Sequence, residues 1–186
     1  MPQWTAPVLG DFAWVNESTT TTDTSVAGQI FIWAAGTGGV NVRGLFKAAP
    51  AAPYTIIAAF QPYFGDYSGQ HCGLFWRDSV LGTLQEAAYA FEATTPFHLY
   101  NYTSPTVYLS ETTAQATWNI NPALVWQRIA DDGTNRSVSF SNNGVDWTVA
   151  WTGVRTTFLT PDQVGFGLHP YTTLTAGMRL MSWAES

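Results

Sequence analysis

Apolar and polar positions along this chain alternate with a period of two, and no stretch carries a helical period. The pattern is clearest from Trp126 to Trp151, W-Q-R-I-A-D-D-G-T-N-R-S-V-S-F-S-N-N-G-V-D-W-T-V-A-W. Its middle run sets Val138 and Phe140 on one side and Ser137, Ser139 and Ser141 on the other, as a half-buried antiparallel strand requires. The flanking segments Asp131–Asn135 and Ser141–Asp146 place Gly133 and Gly144 where hairpin turns need a positive φ. Their Asp and Asn residues supply the side-chain acceptors that favour such turns. The stretch therefore predicts a three-stranded meander, with one face packed, one face wet, and Trp126, Trp147 and Trp151 at least partly buried.

The rest of the chain reads in the same way. Residues 1–10 are Pro-punctuated and form an extended arm, which could lie on the domain or reach a neighbour. A strand at Phe12–Asn16 is followed by an exposed Ser/Thr loop, Glu17–Ser25, and by strands at Ile30–Trp33 and Val40–Phe46. In the latter, Val42 and Phe46 point one way, Arg43 and Lys47 the other. Pro50 and Pro53 mark a connection over an end or edge. Tyr54–Phe60 resumes as a strand whose Ile56-Ile57-Ala58 run implies burial on both sides, and Gln61–Gln70 reads as an aromatic-rich loop. Strands at His71–Asp78 and Thr83–Phe91 follow. Leu84–Tyr89 alone could be helical, and its flanking Gly and Thr favour strand. Pro96 opens a strand with Phe97 and Leu99 on one face and His98, Tyr100 and Tyr102 on the other. Thr106–Ser110, a break at Asn119–Pro122, the meander, Val164–Leu168 and Met178–Trp183 complete the series. Short strands at regular spacing predict an all-β, two-sheet antiparallel sandwich, one domain over residues 11–186.

The run Trp126-x-Arg128-Ile129 leading to Asp132-Gly133, then Phe140 through Asn143-Gly144 to Trp147, resembles the penultimate meander of concanavalin A-like lectin/glucanase sandwiches. It is similar to the accessory sandwich of family 43 xylosidases and to small phage virion proteins. Asn143 stands where that pattern has Asp, and it suits the turn as well. Three further stretches carry the phage part: Asp11-Phe12-Ala13-Trp14-Val15-Asn16, Lys47-Ala48-Ala49-Pro50-Ala51-Ala52-Pro53-Tyr54-Thr55-Ile56 and Phe75-Trp76-Arg77-Asp78-Ser79. The resemblance implies jelly-roll connectivity and a subunit mounted on a capsid or tail.

Composition adds to this picture. Over 186 residues, 46% hydrophobic and 15% aromatic content suffice for one packed core, whereas 11% charged residues fall far below the ~25% usual for soluble domains. A surface so poor in charge is expected to be covered by partners. Net charge is -6 with seven Lys plus Arg scattered singly, which gives no track for phosphates and excludes nucleic acid as a partner. A lone Cys72 in an apolar strand rules out a disulfide framework and multi-cysteine zinc patterns and reads as a buried thiol. The N-terminus lacks the n- and h-regions of a secretory signal, and no apolar run approaches the ~20 residues of a membrane span. These features fit a virion protein made in a bacterial cytoplasm, without membrane insertion.

Candidate chemistry is sparse. Glycoside hydrolysis needs two carboxylates about 5–5.5 Å apart when retaining. Glu86 and Glu92 would be separated by roughly 20 Å along a strand and read as solvated. His71, His98 and His169 occur without a nucleophile elbow and read as ordinary surface or packed histidines. Asp131, Asp132 and Asn135 offer fewer oxygens than the 6–8 calcium takes. The expectation is no enzyme, no metal and no cofactor. His98, Tyr100 and Tyr102 form the candidate carbohydrate-binding row, with a subunit interface or core packing as the alternatives, and Trp33 and Trp76 carry the same ambiguity. Trp4 and Pro7 are the candidate assembly tether. The function expected is a non-enzymatic bacteriophage virion protein: capsid decoration, head fibre or tail-associated subunit. It would be a homo-oligomer, by analogy with phage appendages a trimer, partnered by other virion proteins and able to display a glycan-adhesion surface. The alternative is a carbohydrate-binding module of a glycan-degrading system.

Overall fold

The computed structural model describes residues 4–65, 69–90, 96–115, 123–171 and 173–186, and in it the alternating runs form two seven-stranded antiparallel sheets. The first sheet is ordered β1 (Ala13–Val15), β4 (Arg43–Ala48), β13 (Gln163–Pro170), β6 (Gln70–Arg77), β7 (Leu84–Ala90), β8 (Phe97–Ser104), β9 (Val107–Gln115). The second is ordered β12 (Thr148–Val154), β11 (Asn135–Ser141), β10 (Val125–Asp131), β5 (Tyr54–Phe64), β14 (Ala176–Glu185), β3 (Ile30–Ala34), β2 (Thr21–Asp23). Long connections bring β4 beside β13 and β5 beside β14, so the two-sheet sandwich anticipated from alternation is the fold found. The outermost strands are short or irregular. β1 and β2 span three residues each, β9 slips register three times against β8, and β12 bulges against β11.

The core lies between the sheets. Leu74, Trp76, Phe97, Leu99, Val164 and Phe166 face Ile32, Ile56, Phe60, Val138, Phe140 and Met178, all fully or almost fully buried. Each contributes about 1.5–3 kcal/mol by leaving water. Gln127 crosses this interior from β10. Its amide oxygen accepts from the Leu74 N–H at 2.9 Å, and its Nε2 donates to the Ala87 carbonyl at 2.6 Å, so it satisfies a facing backbone pair of β6 and β7. The sheets are thereby clamped beneath the face described below.

The meander is realised as β10, β11 and β12, with Trp126 buried and Trp147 and Trp151 half-buried. Gly133 and Gly144 take φ of 91° and 72°. The Asp132 Oδ1 accepts from Thr134 and Asn135 N–H, and Asp131 bonds the Gly133 N–H and Arg155, so both carboxylates are occupied by turn amides and a guanidinium. Asn143 Oδ1 caps Val145 and Asp146 in the second turn.

Several readings are corrected. Ser139 and Ser141 are buried, so that face of β11 is not wet. β5 continues through Pro62 to Phe64 instead of ending at Phe60. Past Phe60 its one partner strand among the described residues is β14, and a strand paired on one side tolerates a residue with no N–H. Ile57 is half-buried where burial on both sides was expected. The Ser/Thr loop contains β2, paired with β3. The Asn119–Pro122 break, Tyr67, Phe91 and Glu92 lie outside the described residues.

The arm is docked on its own sandwich. The Thr5 N–H donates to Ser182 Oγ at 3.0 Å, and the Trp183 N–H donates to the Thr5 carbonyl at 2.8 Å, beside the bulge between Leu180 and Ser182. Trp4 meets Trp126 edge-on at 5.6 Å and stays half exposed, whereas Pro7 is buried and in this position is out of a partner's reach.

Candidate functional site

On β13, β6, β7 and β8, alternation fixes which residues point away from the core. Opposite Val164, Phe166 and Leu168 stands His169; opposite Cys72, Leu74 and Trp76 stands His71; opposite Ala87 and Tyr89 stands Glu86; opposite Phe97 and Leu99 stand His98, Tyr100 and Tyr102. The sheet order makes these strands neighbours, and pairing sets His169 beside His71 and Glu86 beside Tyr100. Between those two rows runs a bare one, Gly44, Gly167, Gly73 and Ala88. Backbones come so close there that a Cβ at Gly73 would sit 2.0 Å from the Ala87 carbonyl oxygen. Over this bare row His71 reaches Glu86.

The outcome is a hydrogen-bonded line. His169 Nδ1 lies 2.7 Å from His71 Nε2, and His71 Nδ1 lies 2.9 Å from Glu86 Oε1. The Tyr102 hydroxyl donates to Glu86 Oε2 at 3.1 Å. Beside it, His98 Nδ1 lies 2.7 Å from Glu111 Oε1, and the His98 ring stacks on Tyr100 with centroids 5.0 Å apart. Val42, Phe46, Phe75, Leu84 and Tyr102 form a second apolar cluster on this face and close one end of it. Tyr108 and Tyr171 are exposed at the margin, and Tyr100 is half-buried between.

This burial sets the protonation. Loss of hydration holds the Glu86 carboxyl up at about 8, against opposing pulls from His169, the Tyr102 hydroxyl and His98. Burial first, and His71 second, push His169 down to about 3. Burial and the neighbouring Glu86 push the Tyr102 hydroxyl well up. At neutral pH the network therefore assigns a protonated Glu86 donating to His71 Nδ1. The His71 Nε2–H then donates to His169 Nδ1, and His169 Nε2 carries the last hydrogen. Ionising Glu86 reverses each bond and leaves a lone pair on His169 Nε2. That atom is buried and has no hydrogen-bond partner among the described residues. One proton thus decides whether the end of the line donates or accepts.

His98, Tyr100 and Tyr102 share a face, as their spacing implies, but they are not three open rings. Tyr102 is 1% exposed and bonded to Glu86. Glu86, read as solvated, is 0% exposed, because the second apolar cluster and Tyr102 cover a face that alternation alone marks as wet. The histidines taken one at a time as ordinary are joined in the pair His71–His169. Their common parity was the available signal; what the sequence lacked was the order of the strands. Cys72 and Trp76 are core residues, while Trp33 stands outside on the second sheet. Among the described residues no group of three or more His, Cys, Asp or Glu side chains is set to hold a metal ion.

No family model and no curated protein matches the sequence. Solved structures do match in fold. A functionally unknown protein from Saccharomyces cerevisiae superposes with a TM-score of 0.68 at 13% identity, over 96% of this chain and 97% of that one. The carbohydrate-binding module CBM66 from Bacillus subtilis gives 0.59 at 11% identity, over 100% and 98%. The GH43 protein BlXynB from Bacillus licheniformis gives 0.62 at 11% identity over 89% of this chain, which spans only 34% of that one. At these identities the likeness is one of fold.

Proposed function

We propose that this chain is a carbohydrate-binding module whose sugar site is the His/Tyr face of the first sheet. The observation that carries the reading is the His98–Tyr100 stack, held from the neighbouring strand by Glu111 and flanked by the exposed Tyr108. Aromatic faces accept the C–H face of a pyranose, and the imidazole and carboxylate beside them suit its hydroxyls. The fold shared with a module named for carbohydrate binding supports it. The test is retention on a glycan array. Tyr100→Ala and Tyr108→Ala should each lose retention while keeping the native circular dichroism spectrum; unchanged retention in both removes the reading.

Display on a virion, as a homo-oligomer, is supported by the charge-poor composition and the phage-like stretches. Light scattering that finds a monomer with no affinity for phage particles would end that role and leave glycan binding intact.

A further inference from the structure

The outer face of the second sheet is built on a different plan. Trp33 of β3, Gly177 of β14 and Tyr63 of β5 stand side by side in one cross-strand row, and Phe31, Arg179 and Gln61 form the next. Because Gly177 has no side chain, Phe31 leans over it: a Cβ there would lie 3.1 Å from the Phe31 ring. Tyr63 meets Phe31 edge-on at 5.1 Å, and the Arg179 guanidinium lies 5.2 Å from the Phe31 ring centre and 5.6 Å from that of Tyr63. The Tyr63 hydroxyl donates to Gln61 Oε1 at 3.2 Å. Above the row is a shallow depression of about 320 Å³ that also touches Phe64, Gly65 and Thr175. Trp33 is 39% exposed and Tyr63 41%.

We propose that this aromatic row is a second saccharide site, taking a pyranose ring of a glycan stacked on Trp33 and Tyr63, with Arg179 and Gln61 as hydroxyl partners at its margin. Three properties select a sugar over a protein. The open part of the two rings amounts to roughly 200 Å², far short of the ~800 Å² per partner that a stable protein interface covers. The Tyr63 ring is held by Phe31 and Arg179, so it is ordered before a ligand arrives and little freedom is lost on binding. The margin of the row is polar, and a saccharide presents an apolar ring face edged with hydroxyls. The site stands on its own residues and does not require the first face to bind.

The two faces also meet at one end of the sandwich. Tyr63 is one residue from the end of β5 and His71 one from the start of β6, while His169 is one residue from the end of β13 and Gly177 one from the start of β14. Tyr171 and Leu174, both exposed, lie on the second of these connections.

The experiment is retention of the full chain on insoluble cellulose, xylan and chitin, with Trp33→Ala, Tyr63→Ala, Tyr100→Ala and the Trp33→Ala/Tyr100→Ala pair. Circular dichroism and the melting temperature report folding, and light scattering reports mass. Loss of one stacking ring is expected to weaken retention on one of these polymers about tenfold. Tyr63→Ala covers the case in which Trp33→Ala fails to fold. Retention surviving in Tyr100→Ala but lost in the pair supports the second site even when the first contributes. Native retention in both Trp33→Ala and Tyr63→Ala, with the pair retained no less than Tyr100→Ala alone, overturns the proposal, and so does a native chain that none of the three polymers retains. A native dimer that Trp33→Ala converts to monomer overturns it in favour of a second copy of this chain.

Discussion

The two outward faces of the sandwich handle polar groups in opposite ways. The first sheet hides acid and imidazole groups beneath tyrosines; the second leaves Trp33 and Tyr63 in solvent and sets guanidinium groups against rings, Arg179 on Phe31 and Tyr63 and Arg128 on Trp147. Burying an unpaired charge is costly, and on the first face the cost is avoided by protons, since Glu86, His71 and His169 bond one another in uncharged form. On the second face the Arg179 guanidinium is partly solvated and lies against ring faces. The difference shows that alternation assigns a residue to a face, while what covers that face decides its chemistry.

The largest expected effect contrasts a glycine from each face. Gly73→Ala would drive a Cβ into the Ala87 carbonyl across a ladder that cannot move without opening the first sheet, so a loss of about 3 kcal/mol or more is expected. Gly177→Ala would press only on the Phe31 ring and the Trp33 Cβ, at 3.1 and 3.2 Å, and should cost about 1 kcal/mol. Urea denaturation of both variants is the check, and equal losses would erase the contrast.

Next in size is the response to pH. Between the ordinary glutamate value of 4.5 and the ordinary histidine value of 6.5, the folded pair holds one proton on Glu86 and the unfolded pair one proton on His169. Their combined contribution is flat in that window. Above it the unfolded chain has released both protons while Glu86 retains one up to about 8, so stability falls as pH rises. Below pH 4.5 the unfolded chain holds both protons while His169 stays neutral down to about 3, so stability falls as pH drops. Each limb amounts to about 2 kcal/mol. Glu86→Gln should abolish the alkaline limb and widen the acid one, which then begins at the ordinary histidine value of 6.5 because nothing offsets His169; an unchanged alkaline limb would mean that Glu86 is ionised in the fold.

The smallest effect belongs to the exposed face. Arg179→Met should cost about 1 kcal/mol or less, the contribution of a partly solvated cation over two rings, and should leave both limbs of the pH profile in place. A melting curve at several pH values tests both statements.

Much of the fold was legible because alternation is local. Val138 and Phe140 reach the core as read, Val42 and Phe46 share one cluster, and the turn glycines take the φ their positions call for. The site was not legible, because its contacts join residues remote in sequence: His71 and His169 are 98 apart, and only the placement of β6 between β13 and β7 brings them to Glu86. Glu86 was misread for the same reason, since its solvation depends on Tyr102 and Phe75, which belong to other strands. The aromatic row on the second sheet escaped notice because β5 was ended at Phe60, which left Tyr63 in a loop with no register against Trp33.

The margins of the two sheets carry a consequence for growth. A long flat margin is a template on which another chain can lay a strand, and repetition of that step makes fibrils. Here two margins are three residues long, and the other two are broken by slips in register, so an incoming strand finds no straight run of free amides and carbonyls to copy. The domain can reach high local concentration without polymerising through these rims.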